Sequence, residues 1–285
     1  MALLNYSLPD FTVNLPLHML FVELQEKRPD WMVENSRVAS MYGSFPSCIL
    51  NGGRSYIREQ ASPTAIEDTF ARLESHNITP RLTFTNMLAE PKHLHDPYVN
   101  QLLEAAARHG GEVIAYADCV ADYARDQYGL KTVLSTTRPQ TTAEDVNTML
   151  ERFDTVVLDY NHHKDPAYLS GISAPDRVEV MANEFCMKGC PHRQEHYHHN
   201  SEDQMAGSLR EFTCHAHKPD FFAHEEGHPS IFTVNEVRSV ADTYGISQFK
   251  LVGRGVSGRT LLHANLYYLI RPEYHTDVER MAYGY

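Results

Sequence analysis

Short apolar runs alternate with longer amphipathic stretches along most of the chain. The runs predict buried strands, and the stretches between them have the residue spacing of helices. The predicted strands lie near residues 38–42, 81–84, 112–116, 131–134, 155–158, 178–182, 211–214 and 248–252. This alternation favours a parallel sheet, because two neighbouring parallel strands need a crossover connection, which is usually a helix.

Eight strands with intervening helices predict an α/β protein with a (β/α)8 TIM-like barrel. An open doubly wound α/β sheet is the alternative, because it shows the same alternation. The chain has 285 residues, a length at which such barrels commonly form one domain. We therefore predict a single barrel domain over residues 1–285, with a Cys/His-rich insertion at about 183–230.

Composition narrows the class of partner. The formal net charge of −12 repels phosphate backbones, so extended nucleic-acid binding is not expected. The five cysteines are an odd number and no signal peptide is recognisable, which together indicate a reducing, cytoplasmic location. No stretch reaches the ~18 apolar residues of a membrane span. Composition does not identify the substrate, and the sequence leaves the oligomeric state open.

Soft metal ligands are concentrated after the predicted strand 178–182. The donors singled out there are Cys186, Cys190, Cys214, His196 and His215. Ligands bind at the carboxyl ends of the strands in parallel α/β proteins, so we expect these donors to meet at that end. Thiolates and imidazoles indicate an iron–sulfur cluster held by the cysteines. Zinc held by two or three of the cysteines plus a histidine is the alternative.

Polar side chains also follow the predicted strands and would converge on one mouth of a barrel. Four of them are predicted to orient or protonate a substrate: Asn183, Glu184, Arg193 and Arg254. General acid–base groups of this kind typically contribute ~10²–10⁴-fold to a rate. The sequence therefore predicts a catalytic set beside the metal ligands.

A second motif suggests different chemistry. His224, Glu225 and His228 match the H-E-x-x-H pattern of zinc metalloproteases. In those enzymes a helix places both imidazoles on one face, with the glutamate as general base. Gly227 inside the motif and Pro229 directly after it disfavour a helix. The motif predicts a loop, and a zinc site on a true helix is the alternative.

Two segments resemble the collagenase-like peptidase family U-32. The sequence GISQFKLVGR, residues 245–254, is similar to the closing strand of that family. The strand 178–182 followed by Cys186 and Cys190 is similar to the strand that leads into the family's cysteine motif. The pattern departs from the family in two ways. The first two cysteines are closer together, and only three cysteines lie where four are expected.

The resemblance implies a TIM-like barrel with a 4Fe-4S cluster held by cysteines. Better understood members of the family assist oxygen-independent hydroxylation of RNA bases or of a quinone ring. The fourth ligand would be a histidine, Cys48 or Cys119, or it would be absent and leave one iron open.

Three functions remain open from the sequence. The first is an iron–sulfur enzyme that modifies a small molecule or nucleobase by hydroxylation or by sulfur or redox chemistry. The second is a zinc-dependent hydrolase or peptidase that uses the H-E-x-x-H motif. The third is a non-enzymatic metal-binding protein, in which the barrel is a scaffold.

Overall fold

The computed structural model describes residues 2–52, 59–214 and 226–284. Within them, eight parallel strands close into a barrel in which each strand pairs with its neighbours in sequence order. The strands are β1 (Leu4–Pro9), β2 (Ser36–Gly43), β3 (Thr79–Phe84), β4 (Glu112–Ala115), β5 (Lys131–Leu134), β6 (Thr155–Val157), β7 (Val178–Met181) and β8 (Gln248–Lys250). The predicted (β/α)8 barrel is confirmed, and its closure excludes the open doubly wound sheet.

Helices connect the strands on the outside of the barrel. They are α1 (Leu15–Lys27), α2 (Pro63–Ser75), α3 (Pro97–Arg108), α4 (Asp118–Tyr128), α5 (Ala143–Leu150), α6 (Pro166–Ser170), α7 (Arg193–Ala206), α8 (Val234–Tyr244), α9 (Gly258–Leu269) and α10 (His275–Tyr283). Their apolar faces and the outer faces of the strands form the main hydrophobic core. Within the described ranges, no helix has the length and apolarity that crossing a bilayer requires.

One predicted strand is wrong and another was missed. The segment 211–214 has no strand geometry; instead, the ring of Phe212 stacks on His196 of α7 with 4.5 Å between the centroids. The missed strand is β1, in which Leu4, Tyr6 and Leu8 are buried. β1 pairs in parallel with β2 on one side and with β8 on the other, so it closes the barrel.

The barrel interior has an apolar layer and a charged layer. The apolar layer consists of Tyr42, Ile114, Val133, Val157, Tyr160 and Met181. The charged layer consists of Arg81, Glu112, Glu179 and Lys250. Arg81 donates to Glu112 and to Glu179, each at 2.7 Å, and the Lys250 Nζ lies 3.6 Å from Glu179. Because buried charges are stable only when they are paired, these four side chains depend on one another.

Candidate functional site

A cavity of about 120 Å³ opens at the carboxyl end of the barrel and is called the mouth cavity here. Its polar lining includes Tyr42, Thr83, Thr85, Ser135, Thr136, Thr137, Glu184, Arg193, His196, Lys250, Arg254, and the thiols of Cys186, Cys190 and Cys214. An engineered cavity of roughly 150 Å³ is enough to hold benzene. The mouth cavity therefore suits a small ligand.

Helix α7 lies over this mouth and is fixed to the barrel by polar contacts. Arg193, at its first turn, donates to the Oδ1 of Asp159 at 2.8 Å and to the carbonyl of Thr136 at 2.9 Å. Towards its other end, the Nε2 of Gln204 donates to the carbonyl of Cys48 at 2.8 Å. The helix is thus tied to the loops that follow β2, β5 and β6, and its buried face is polar.

The loop before α7 carries two of the cysteines and is held from both sides. The Oε1 of Glu184 accepts from the backbone N–H of Cys186 at 2.9 Å, and the Tyr160 hydroxyl donates to the carbonyl of Met187 at 2.8 Å. Burial raises the pKa of the Cys186 thiol, while its hydrogen bond with Tyr160 acts in the opposite direction. Metal binding would therefore have to displace the proton of a half-buried thiol.

The predicted soft donors are distributed around the mouth cavity. Cys186, Cys190, Cys214 and His196 all line it, and His215 lies outside the described residues. Over the parts of the chain that the structure describes, no three His, Cys, Asp or Glu side chains are gathered around a common point as metal ligands. The donors therefore share a cavity without forming a ready-made ligand set.

The two other cysteines lie elsewhere. Cys48 is buried, and burial raises the pKa of its thiol to about 12. The Sγ of Cys119 lies 3.8 Å from the carbonyl of Ala89 on the outside of the barrel. Neither belongs to the cavity lining, so neither is placed to supply a fourth ligand.

The four predicted catalytic residues have different positions. Glu184, Arg193 and Arg254 line the mouth cavity. Asn183 instead joins the ends of two strands: its amide donates to the carbonyl of Val252 at 3.1 Å, and its Oδ1 accepts from the N–H of the same residue at 2.7 Å. Asn183 is therefore placed to hold the rim of the barrel in register.

Sequence reasoning missed Lys250, which is buried and lines the mouth cavity from β8. Its Nζ lies 3.7 Å from the centroid of the Tyr42 ring. Burial lowers the pKa of this amine to about 8, against the favourable charge of Glu179. The sequence did offer a sign of this residue, since Lys250 stands among the apolar residues of the predicted strand QFKLV. Lysine is rarely buried unless it is paired, so a lysine in a buried strand indicates a specific role.

Only the second half of the H-E-x-x-H motif lies within the described residues. His224 and Glu225 lie outside the described residues. The described end of the motif is a turn, in which Gly227 has a φ of +80° and the Nδ1 of His228 accepts from the N–H of Ile231 at 2.9 Å. At that end the helix required of a metalloprotease is not formed.

Gly52 lines the mouth cavity and packs directly against the backbone of Thr85, the residue that follows β3. A Cβ at this position would lie 2.1 Å from the carbonyl oxygen of Thr85, so Gly52→Ala must push the two loops apart. We expect a loss of about 1–3 kcal/mol in the free energy of unfolding, measured by urea denaturation. Gly258→Ala is the matched control, because its nearest neighbour would lie 3.9 Å away. Equal stability of the two variants would contradict this packing.

No protein-family model and no curated protein matches the sequence. Among solved structures, the chain is similar to the U32 peptidase Mk0906, with 14% identity, 89% of this chain and 94% of that one covered, and a TM-score of 0.53. It is also similar to a D-tagatose 3-epimerase-like protein, with 11% identity, 100% and 99% covered, and a TM-score of 0.42. The first similarity supports a U32-like barrel and extends to the fold alone.

Proposed function

We propose that this protein is an enzyme that modifies a small molecule in the mouth cavity, with a 4Fe-4S cluster held by Cys186, Cys190 and Cys214. One observation supports it above the others. All three thiols open on the same cavity as Glu184 and Arg254, at the end of the barrel where enzymes of this architecture place their active sites.

The donor chemistry suits the cluster, because thiolates are its usual ligands. When bound, a cluster supplies electron transfer, or an open iron where a fourth protein ligand is missing. Two described histidines, His192 and His196, belong to the cavity lining, and His196 is the one proposed to complete the set. Since the donors are not gathered in the described residues, loading requires the loop of Cys186 and Cys190 and the segment of Cys214 to close together.

The remaining residues bind and orient the substrate. Arg254 is fixed by hydrogen bonds to Thr83 at 2.9 Å and to Ser44 at 3.3 Å, so its guanidinium is presented to the cavity in a defined direction. Such a group suits a carboxylate or another anion. Glu184 lines the same cavity and is the residue to hold or move a proton. Arg193 contributes indirectly, because its contacts with Asp159 and Thr136 position α7.

Anaerobic purification followed by iron, sulfide and zinc analysis tests the cofactor. We expect iron and sulfide with visible absorption in the unmodified protein, and loss of both in Cys186→Ala and Cys190→Ala. Cys119→Ala is the matched control and should retain them, because its thiol lies away from the cavity.

Two outcomes would defeat the cluster. A colourless protein with stoichiometric zinc that is lost in His196→Ala would assign zinc to the same donors. A protein without metal, or one whose iron survives both cysteine substitutions, would show that Cys186 and Cys190 hold no cluster.

A further inference from the structure

Lys250 is a cation with too few partners for its position. Its side chain is 7% exposed, and its closest carboxylate oxygen, the Oε2 of Glu179, is 3.6 Å away. Glu179 already pairs with Arg81 at 2.7 Å. Within the described residues, no group other than Glu179 pairs with the amine through a hydrogen bond or an ion pair, and the amine faces the ring of Tyr42. The amine therefore belongs to the charged layer by one long contact only, and it also lines the mouth cavity.

We propose that Lys250 is a nucleophile that forms an imine with the carbonyl carbon of a small oxo acid, whose carboxylate binds Arg254. The inference deepens the proposed function and rests on it in one respect, that the mouth cavity is the substrate site. It does not depend on the cluster.

The charges around Lys250 favour the neutral amine that this chemistry needs. Arg81 from β3 and Arg254 beyond β8 both oppose protonation, and Glu179 from β7 favours it. Tyr42 from β2 contributes its ring face. Burial is the largest influence and lowers the pKa of the amine to about 8. A free lysine titrates near 10.4, so far more of Lys250 is neutral at physiological pH.

The chemistry balances without an oxidant or reductant. The lone pair of the neutral Nζ attacks the carbonyl carbon and forms the C–N bond, while the carbonyl π pair moves to oxygen, which takes up a proton. The resulting carbinolamine loses that oxygen as water after a second proton is added, and the nitrogen keeps one hydrogen. The sum is amine plus carbonyl plus one proton, giving a protonated imine and water.

The size and charge of the cavity select the substrate class. Lys250 and Arg254 lie near the same Tyr42 ring, with the Nζ at 3.7 Å and the Cζ at 5.7 Å from its centroid. A carbonyl at the amine and a carboxylate at the guanidinium therefore belong to one compact molecule. The volume of about 120 Å³ limits that molecule to a short chain or a single ring.

Trapping with borohydride tests the proposal. The purified protein is incubated with pyruvate as the probe, and sodium borohydride reduces any imine to a stable secondary amine. Peptide mapping by mass spectrometry then locates the adduct. We expect a saturable, single adduct at Lys250 that is absent in Lys250→Met and in Lys250→Arg. Its rate should rise with pH and level off above the pKa of the amine, about 8, because the neutral amine is the reactive form.

Two controls separate specific from general reactivity. Lys164→Met should leave the adduct unchanged, although Lys164 is also a partly buried lysine, because its Nζ donates to the carbonyl of Ile231 at 2.7 Å. Arg254→Met should weaken labelling by pyruvate about tenfold or more. Arg254→Met also removes a charge that lowers the pKa of the amine, so both proteins are compared on the alkaline plateau of the rate. There, labelling by acetaldehyde, which has no carboxylate, should change far less than labelling by pyruvate.

Adducts spread over exposed lysines without an excess at Lys250 in the unmodified protein would overturn the proposal, whether or not the variants fold. An equal fold-loss of labelling for both probes in Arg254→Met, relative to the unmodified protein, would overturn the oxo-acid assignment. Trapping requires neither metal nor turnover. If trapping fails in a protein that carries iron and sulfide, the Lys250 proposal is wrong and the cluster proposal is unaffected. If trapping succeeds in a metal-free protein, the cluster proposal is wrong and the Lys250 proposal is unaffected.

Discussion

Glu179→Ala is expected to lower the free energy of unfolding by about 3–5 kcal/mol, because it leaves buried cations without their counter-charge. The carboxylate lies in the charged layer, where its side chain is 1% exposed, and it faces both Arg81 and Lys250. Arg81 would retain only Glu112, and Lys250 would retain no carboxylate among the described residues. The measurement is urea denaturation at neutral pH.

A matched control is available on the surface. Glu23 pairs with Lys27 at 2.8 Å, but the two side chains are 41% and 70% exposed. Glu23→Ala should therefore cost at most about 1 kcal/mol. If Glu179→Ala cost no more than this control, the charged layer would not be the interdependent network described above.

Arg193→Met is expected to release α7 from the mouth of the barrel. The guanidinium is buried, pairs with Asp159 at 2.8 Å and lies over the ring of Tyr160 at 4.1 Å. Its loss would leave the Asp159 carboxylate buried and unpaired, a change that typically costs about 3–5 kcal/mol. Arg193→Lys should restore little, because an ammonium cannot reproduce the forked contact with Asp159 and the Thr136 carbonyl.

Hydrogen exchange measures this release directly. Amides of residues 193–206 should exchange much faster in Arg193→Met, while those of the strands change less. Arg210→Met is the control near the other end of the same helix, where the arginine is 54% exposed and pairs with Asp203. Unchanged protection of α7 in Arg193→Met would show that the helix is held by its other contacts.

The strands were the most predictable part of this protein, and the failures have a common cause. Seven of the eight predicted segments coincide with observed strands, because both faces of those segments are covered and most of their residues are apolar. β1 alternates Leu4, Tyr6 and Leu8 with polar residues. Segment 211–214 has a strand-like sequence, but it pairs with no described strand. Pairing is a tertiary property, which a local pattern does not contain.

The site was partly predictable, because most of its residues directly follow predicted strands. Glu184, Cys186, Cys190 and Arg193 follow β7, and Arg254 follows β8, so the barrel brings them to one mouth. Helix α7 was unpredictable from hydrophobic periodicity, because the face that it buries is made of polar side chains, among them Arg193, Ser201 and Gln204. Lys250 was hidden in an apolar strand. Whether such a lysine faces the barrel interior depends on register, which the sequence does not state.

The pairing of β1 with β8 has a consequence for how the protein is made. Asn5 lies opposite Gln248, so the two partners are separated by nearly the whole described chain. On a ribosome, the outer edge of β1 would stay unpaired until β8 emerges, which exposes it to wrong partners and makes closure a late event. Lys250 arrives with that last strand. The proposed amine chemistry would therefore begin only when the barrel shuts, and nascent or shortened chains would be inert towards carbonyl compounds.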